Sequence, residues 1–237
     1  MQLPRRQGAH PRAQYKRDLG RDASHKPEGT PHEERTAMNS EAAGHRNPWS
    51  LVRKAVKFDC PYFSARDDLV AFDGSPPFSY SSIRVKKHGV CVAPIDPQGC
   101  VTIVGQYRYV LDRYTWELPG GGADVGADAL AAAQAELAEE TGLQGRHWLK
   151  LIDAPVACGT SDEQVPGYVA WDLESGEPNP DPVERLTLHR IPFAEAISMA
   201  LGGALEHLAG IALLLSIDAR LRRNQLPVTL TRLLRKR

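Results

Sequence analysis

Three carboxylates define the chemistry this chain can attempt. Glu136, Glu139 and Glu140 sit in a run from Asp128 to Thr141 that is rich in strong helix formers, has no β-branched residue before Thr141, and meets a stop signal at Gly142. On a helix Glu136 and Glu140 lie about 40° apart around the axis, and Glu139 lies about 60° to the other side of Glu136. Like charges at these spacings repel, so the stripe makes physical sense with a cation against it. Oxygen donors favour Mg²⁺ or Mn²⁺ over zinc, and Mg²⁺ is commonly held by a few carboxylates together with substrate phosphate oxygens. A solvated acidic face is the plain alternative for a lone Glu-rich helix. The segment ahead of it shifts the balance, because Pro119-Gly120-Gly121-Gly122 is neither regular helix nor strand and lets backbone approach a ligand closely. It is not a Walker A loop, having no Gly-Lys-Ser/Thr, and it does not match GxGxxG in register.

Taken together, Gly121, Glu136, Leu137, Glu139, Glu140, Gly142 and Leu143 resemble the Nudix box, G-x5-E-x7-R-E-U-x-E-E-x-G-U with U aliphatic, without a gap. Two positions depart from it: Ala127 stands where the pattern has its first Glu, and Ala135 where it has Arg. In the family these two residues lie close together and support the metal-bearing helix, so their joint absence leaves no orphan charge. By this resemblance Glu136 and Glu140 are metal ligands with Glu139 beside them, and the departures bear on stability and metal affinity more than on reaction class.

The flanks, including PYFSARDDLV, GVCVAPIDPQGCVTIVGQYRY and WELPGGG, resemble the ADP-ribose pyrophosphatase branch over residues 47–223. That resemblance implies further roles. The Gly120 carbonyl completes the metal shell, and Arg108 and Glu117 help hold substrate. Cys158–Glu163, CGTSDE, is similar to the branch's Pro-Gly-x-Ser-x-Glu segment, which brings Ser161 and Glu163 to the substrate cleft; ordinary turn chemistry explains the same residues equally well. The long loop from Glu174 to Arg185 is expected to deliver an acidic residue, with Glu184 best placed ahead of the strand LTLHRI. The implied reaction is Mg²⁺-dependent (Mn²⁺ possible) hydrolysis of a nucleoside diphosphate sugar, ADP-ribose foremost, to a nucleoside monophosphate and a sugar phosphate. Glu184, Asp181 and Glu139 are all candidates to take the proton from the attacking water. A homodimer is implied by the branch alone. The alternative, motivated by Ala127 and Ala135, is a catalytically weakened module that binds a nucleotide sugar as a sensor or regulator.

The elements that must position these groups are readable in outline. Val56 to Asp73 and Ser79 to Lys87 form a strand-rich lead-in with a turn at Asp73-Gly74; His88 to Pro94 and Val101 to Val110 are strands around Asp96-Pro97-Gln98-Gly99. After the acidic helix come strands at Trp148 to Asp153, Gly167 to Leu173 and Leu186 to Ile191, then helices at Pro192 to Leu201 and Ala204 to Arg223. The expected fold is α/β: a Nudix α/β/α sandwich with a mixed sheet, preceded by a small strand-rich segment. The divisions are a disordered tail over residues 1–45, the strand-rich segment over 46–87, the catalytic domain over 88–223 and a basic C-terminal tail over 224–237. With 237 residues, 42% hydrophobic, the chain can bury one sizeable core. A formal net charge of zero gives no electrostatic case for nucleic acid or membrane partners. Cys60, Cys91, Cys100 and Cys158 have no CxxC spacing, and there is no long apolar run, which together suit a cytoplasmic enzyme. His88, His147, His189 and His207 are read as surface or core residues, and Tyr107 and Trp116 as strand packing.

Overall fold

All five residues of β6 (Cys91–Ile95) are buried, and their alternation divides the interior into two cores. Cys91, Ala93 and Ile95 join one hydrophobic cluster and Val92 joins the other, as period-2 strand geometry requires of a central strand covered on both faces. A computed structural model describes residues 46–236, so the expected N-terminal tail over 1–45 lies outside the described residues.

The main sheet has six strands. Its order is β10 (Leu143–Pro155), β11 (Gln164–Ser175), β6, β7 (Cys100–Arg108) and β12 (Thr187–Pro192), with β8 (Arg113–Glu117) also pairing β7. β11 and β6 run parallel and the other pairs antiparallel, so the sheet is mixed. Helix α1 (Ala129–Thr141) covers one face through Ala133 and Leu137; helices α2 (Phe193–Gly202), α3 (Leu208–Arg222) and α4 (Val228–Leu234) cover the other through Ile197, Leu213, Leu214, Ile217 and Leu230. This is the expected α/β/α sandwich. Ahead of it, β1 (Trp49–Arg53), β2 (Val56–Asp59) and β4 (Phe78–Val85) all pair β3 (Phe63–Phe72) in a separate four-stranded sheet. A two-stranded pair, β5 (Lys87–Gly89) with β9 (Gly122–Asp124), leads into α1.

The boundaries of α1 follow from its caps. The Asp128 side chain accepts the Leu130 N–H at 2.9 Å, and Gly142 closes the helix with φ 71°. A Cβ at Gly142 would lie 2.4 Å from the Gly176 carbonyl oxygen, so β10 can follow the helix directly only because this residue is glycine.

Two expectations at the C-terminal end are corrected. The helix expected from Ala204 begins at Leu208, because Gly203 terminates α2 at φ 78° and the intervening residues cross β8, with the Glu206 N–H donating to the Trp116 carbonyl at 3.2 Å. The expected basic tail over 224–237 contains α4 in its place. Leu226 and Leu230, four apart, turn inward and are 7% and 0% exposed, while Arg232 and Arg235 remain on the solvent side. The charge content marks that helix's outer face, and its apolar spacing marks the inner one. Gly99, at φ 77°, sits so close beneath α4 that a Cβ there would lie 2.4 Å from the Leu233 carbonyl oxygen. Among the described residues no helix is long and apolar enough to cross a membrane. Leu230→Ala is expected to cost about 2–4 kcal/mol in denaturant unfolding, the usual range for a buried leucine, whereas a solvated tail would register almost nothing.

Candidate active site

The glycine segment after β8 is tied down on two sides. From β6 and the residue before it, the Val90 N–H donates to the Gly121 carbonyl at 2.9 Å and the Val92 N–H to the Pro119 carbonyl at 2.8 Å, leaving the Gly120 carbonyl outside this pairing. From α1, the Glu140 carboxylate accepts the Gly120 N–H at 3.0 Å and the Glu136 carboxylate accepts the Gly122 N–H at 3.1 Å. Clearance dictates Gly120 against backbone, and Gly121 as long as the Glu136 carboxylate keeps its place. A Cβ at Gly120 would lie 2.2 Å from the Val90 carbonyl oxygen, and one at Gly121 would lie 2.2 Å from the Glu136 carboxyl carbon.

These carboxylates are poor hosts for their own charge. Glu140 is 3% exposed, and its pKa is pushed up to about 8 by burial, with the charges of Glu136 and Glu184 adding to it and the Gly120 N–H opposing. Burial likewise raises Glu136, helped by Glu139 and Glu184. Two acids held side by side above their ordinary range, against a loop with an uncommitted carbonyl, form a donor set suited to a hard divalent cation. Among the described residues no three His, Cys, Asp or Glu side chains converge as metal ligands. The convergence is of two carboxylates with backbone, which suits Mg²⁺, an ion that retains waters and takes substrate oxygens.

The structure brings most of the expected residues to this place. Glu184, half-buried on the loop before β12, acts electrostatically on Glu136, Glu140 and Arg108. Its loop is shaped by Asp181, which accepts the Val183 N–H through its side chain at 3.0 Å and the Glu184 N–H through its carbonyl at 2.8 Å. Glu139 is exposed at the rim, influencing Glu136 alone of the pair, and its main-chain carbonyl accepts the Asn179 N–H at 2.8 Å. Glu163 and Ser161 line a cleft of about 650 Å³ together with Lys87, Gly121 and Glu136. Ser161 Oγ also accepts the Glu163 N–H at 3.1 Å, so the turn and the cleft descriptions hold at once.

Arg108 and Glu117 face each other. Arg108 donates from Nε and one terminal nitrogen to the two Glu117 oxygens at 2.9 and 2.6 Å, and the Thr115 hydroxyl adds a third bond at 2.7 Å. Glu117 is 6% exposed; desolvation is the largest influence on it, yet Arg108 and Thr115 overcome this and hold its carboxyl below the usual range. In this structure Glu117 is therefore occupied as the buried anchor of Arg108. His207, at the start of α3 and read from the sequence as a surface or core residue, is a neighbour of this pair. Its Nδ1 is buried without a hydrogen-bond partner, and burial lowers its pKa against the pull of Glu117, which keeps the imidazole neutral at physiological pH. Nothing in its spacing marks it; only the turn at Gly203 brings it to β8.

Residues 85–209 match the NUDIX domain, more than half of the chain. The chain belongs to the Nudix family of pyrophosphohydrolases. Among its relatives are two proteins named ADP-ribose pyrophosphatase. One, from Mycobacterium tuberculosis, is 39% identical over 163 residues, covering 66% of this chain and 77% of the relative. The other, from Bacillus subtilis, is 30% identical over 160 residues, covering 66% and 83%. In fold the chain is similar to a solved structure described as an ADP compounds hydrolase, with a TM-score of 0.68 at 17% identity, over 77% of this chain and 99% of that one. The two departures from the Nudix box, Ala127 and Ala135, are both exposed, so the missing pair leaves no buried charge behind.

Gly121→Ala is expected to lower turnover by about 100-fold through displacement of Glu136, since roughly 1 Å of misplacement can cost that much. Steady-state kinetics beside a circular dichroism melt separates this from unfolding. Glu140 also yields a stability test. Its folded pKa of about 8 exceeds the ordinary 4.5, so the folded state binds the extra proton, and metal-free stability falls as pH rises between those values. In EDTA, Glu140→Gln is therefore expected to gain in Tm over wild type at pH 8.5 relative to pH 5, at about 2–4 °C per kcal/mol.

Proposed function

We propose that this Nudix protein hydrolyses the pyrophosphate bond of a nucleoside diphosphate sugar, ADP-ribose first among candidates, in a Mg²⁺- or Mn²⁺-dependent reaction. The observation that carries the reading is the pair of charge-strained carboxylates, half-buried Glu136 and buried Glu140, packed against the glycine loop. The names of the two relatives supply the substrate class.

A pyrophosphate resists water because its own negative charge repels the nucleophile. A bound divalent cation would supply charge neutralisation at the phosphate oxygens, held by Glu136, Glu140 and the Gly120 carbonyl. The chain's own residues provide the rest. Glu184 is the group best placed to take a proton from the attacking water, because it shares the field of Glu136, Glu140 and Arg108, while Glu139 stands exposed at the rim. Arg108, fixed at two nitrogens by Glu117, presents its remaining N–H groups toward an anionic substrate. Ser161 and Glu163 bound the cleft beside Glu136 and can accept or donate to sugar hydroxyls.

The working unit in this reading is a homodimer. Leu51, Val52, Val56 and Phe58 of β1 and β2 are each more than half exposed, an apolar surface of the kind that a second copy covers. The sensor alternative, motivated by Ala127 and Ala135, predicts binding of a nucleotide sugar without product, and the assay below separates it.

Incubation of ADP-ribose with the protein and Mg²⁺ is expected to yield AMP and ribose 5-phosphate, with kcat lowered about 100-fold or more in Glu184→Gln while KM changes little. Absence of metal-dependent products across a nucleoside diphosphate sugar panel would refute the reading.

A further inference from the structure

The basic C-terminal helix takes no part in the chemistry above, yet it walls a second cleft. At the far end of β6, where Ile95 pairs with Trp171, a cavity of about 410 Å³ opens between α4 and the adjoining residues of β10 and β11. Ile95 is five residues along the chain from Val90, which holds the glycine loop just ahead of β6, or about 17 Å at the usual strand rise. Its size falls within the range of small-molecule sites, about 300–1,000 Å³.

The lining groups are of three kinds. The first is an aromatic platform: His147 stacks on Trp171 with ring centroids 5.3 Å apart and planes inclined by 26°. Trp171 is buried beneath, whereas His147 is exposed and offers its outer face. The second kind is polar and directional. Trp171 Nε1 donates to Thr229 Oγ1 at 3.2 Å, which leaves the Thr229 proton to donate elsewhere. Asp172, with its carboxylate 3.9 Å from His147 Nε2, presents acceptors at the rim from a left-handed backbone conformation, φ 56°. The third kind is cationic. Arg232, on α4, and Lys236, two residues beyond its end, both line the cavity. Lys236 donates to the Pro97 carbonyl at 2.7 Å, and Arg232 makes no ion pair among the described residues.

We propose that this cleft is a second ligand site, separate from the catalytic one, that takes a nucleoside monophosphate. A planar base stacks on the open face of His147. Asp172 accepts from an exocyclic amine or a ribose hydroxyl, and the phosphate lies against Arg232 and Lys236, with the Thr229 hydroxyl available to it. Neither cation alone selects a nucleotide; the platform, the acceptor and the paired cations together do. The site is independent of the catalytic reading.

The test is calorimetric titration of the full chain in EDTA with AMP, adenosine and inorganic phosphate. AMP is expected to bind more tightly than either fragment. Arg232→Ala and His147→Ala, both surface changes, should each weaken AMP at least tenfold, with Tm and hydrolysis of the catalytic substrate unchanged. Glu136→Gln should leave AMP binding as it was. Binding lost in Glu136→Gln but not in Arg232→Ala would place AMP in the catalytic cleft and overturn the proposal. No AMP binding, or inorganic phosphate equal to AMP, would overturn it as well. Because hydrolysis is read separately, an inactive protein that still binds AMP through Arg232 would refute only the catalytic reading.

Discussion

Glu136 and Glu140 hold the glycine loop by accepting its N–H groups, and in doing so they bring two carboxylates into a space too dry and too crowded for both to be charged comfortably. Burial alone would favour the neutral acids. A side chain at Gly121 would displace the Glu136 carboxylate, so this glycine lets the carboxylate and the backbone share one space. The result is local electrostatic strain stored in a rigid frame, of the kind that a cation relieves.

Much of the fold serves to keep that frame still. β6 and Val90 just ahead of it fix the loop through the Pro119 and Gly121 carbonyls, and β6 is itself buried between two cores, so the loop inherits the rigidity of the sheet. The caps at Asp128 and Gly142 set the length of α1, and with it which turn of the helix faces the loop. Arg108 is held in a different way. Its buried partner Glu117 also accepts the Thr115 hydroxyl, so the cation is aimed by a hydrogen-bonded network. Removal of Arg108 would leave that carboxylate buried and unpaired, which makes the arginine a structural requirement as well as a cleft residue.

Local chemistry made much of this legible in the sequence. The helix and its stripe of three carboxylates followed from composition and spacing, because a 13-residue run of helix formers has one dominant conformation and fixes the angles between its side chains, while the choice of Glu136 and Glu140 among them came from the Nudix-box resemblance. The glycine loop was readable as close backbone approach. What was not readable depended on contacts between distant segments. Glu139 shares the stripe by angle but stays outside, because the loop reaches only the turn on which Glu136 and Glu140 lie. That Glu117 is the partner of Arg108 required the pairing of β7 with β8, a strand that the aromatic and charged run around Tyr114 did not announce. The basic residues of the C-terminus masked the spacing of Leu226 and Leu230, since net charge describes the outer face of a helix and says nothing of the inner one. His207 entered the site only through tertiary folding.

Titration of Mn²⁺ into the protein, followed by the loss of the free-ion EPR signal at pH 7.5, tests without reference to any substrate whether the strained pair on α1 is a cation site. Saturable binding is expected in wild type, weakened at least tenfold in Glu136→Gln, about 1.4 kcal/mol per decade. Mn²⁺ binding that is absent in wild type, or unchanged in Glu136→Gln, would contradict that assignment.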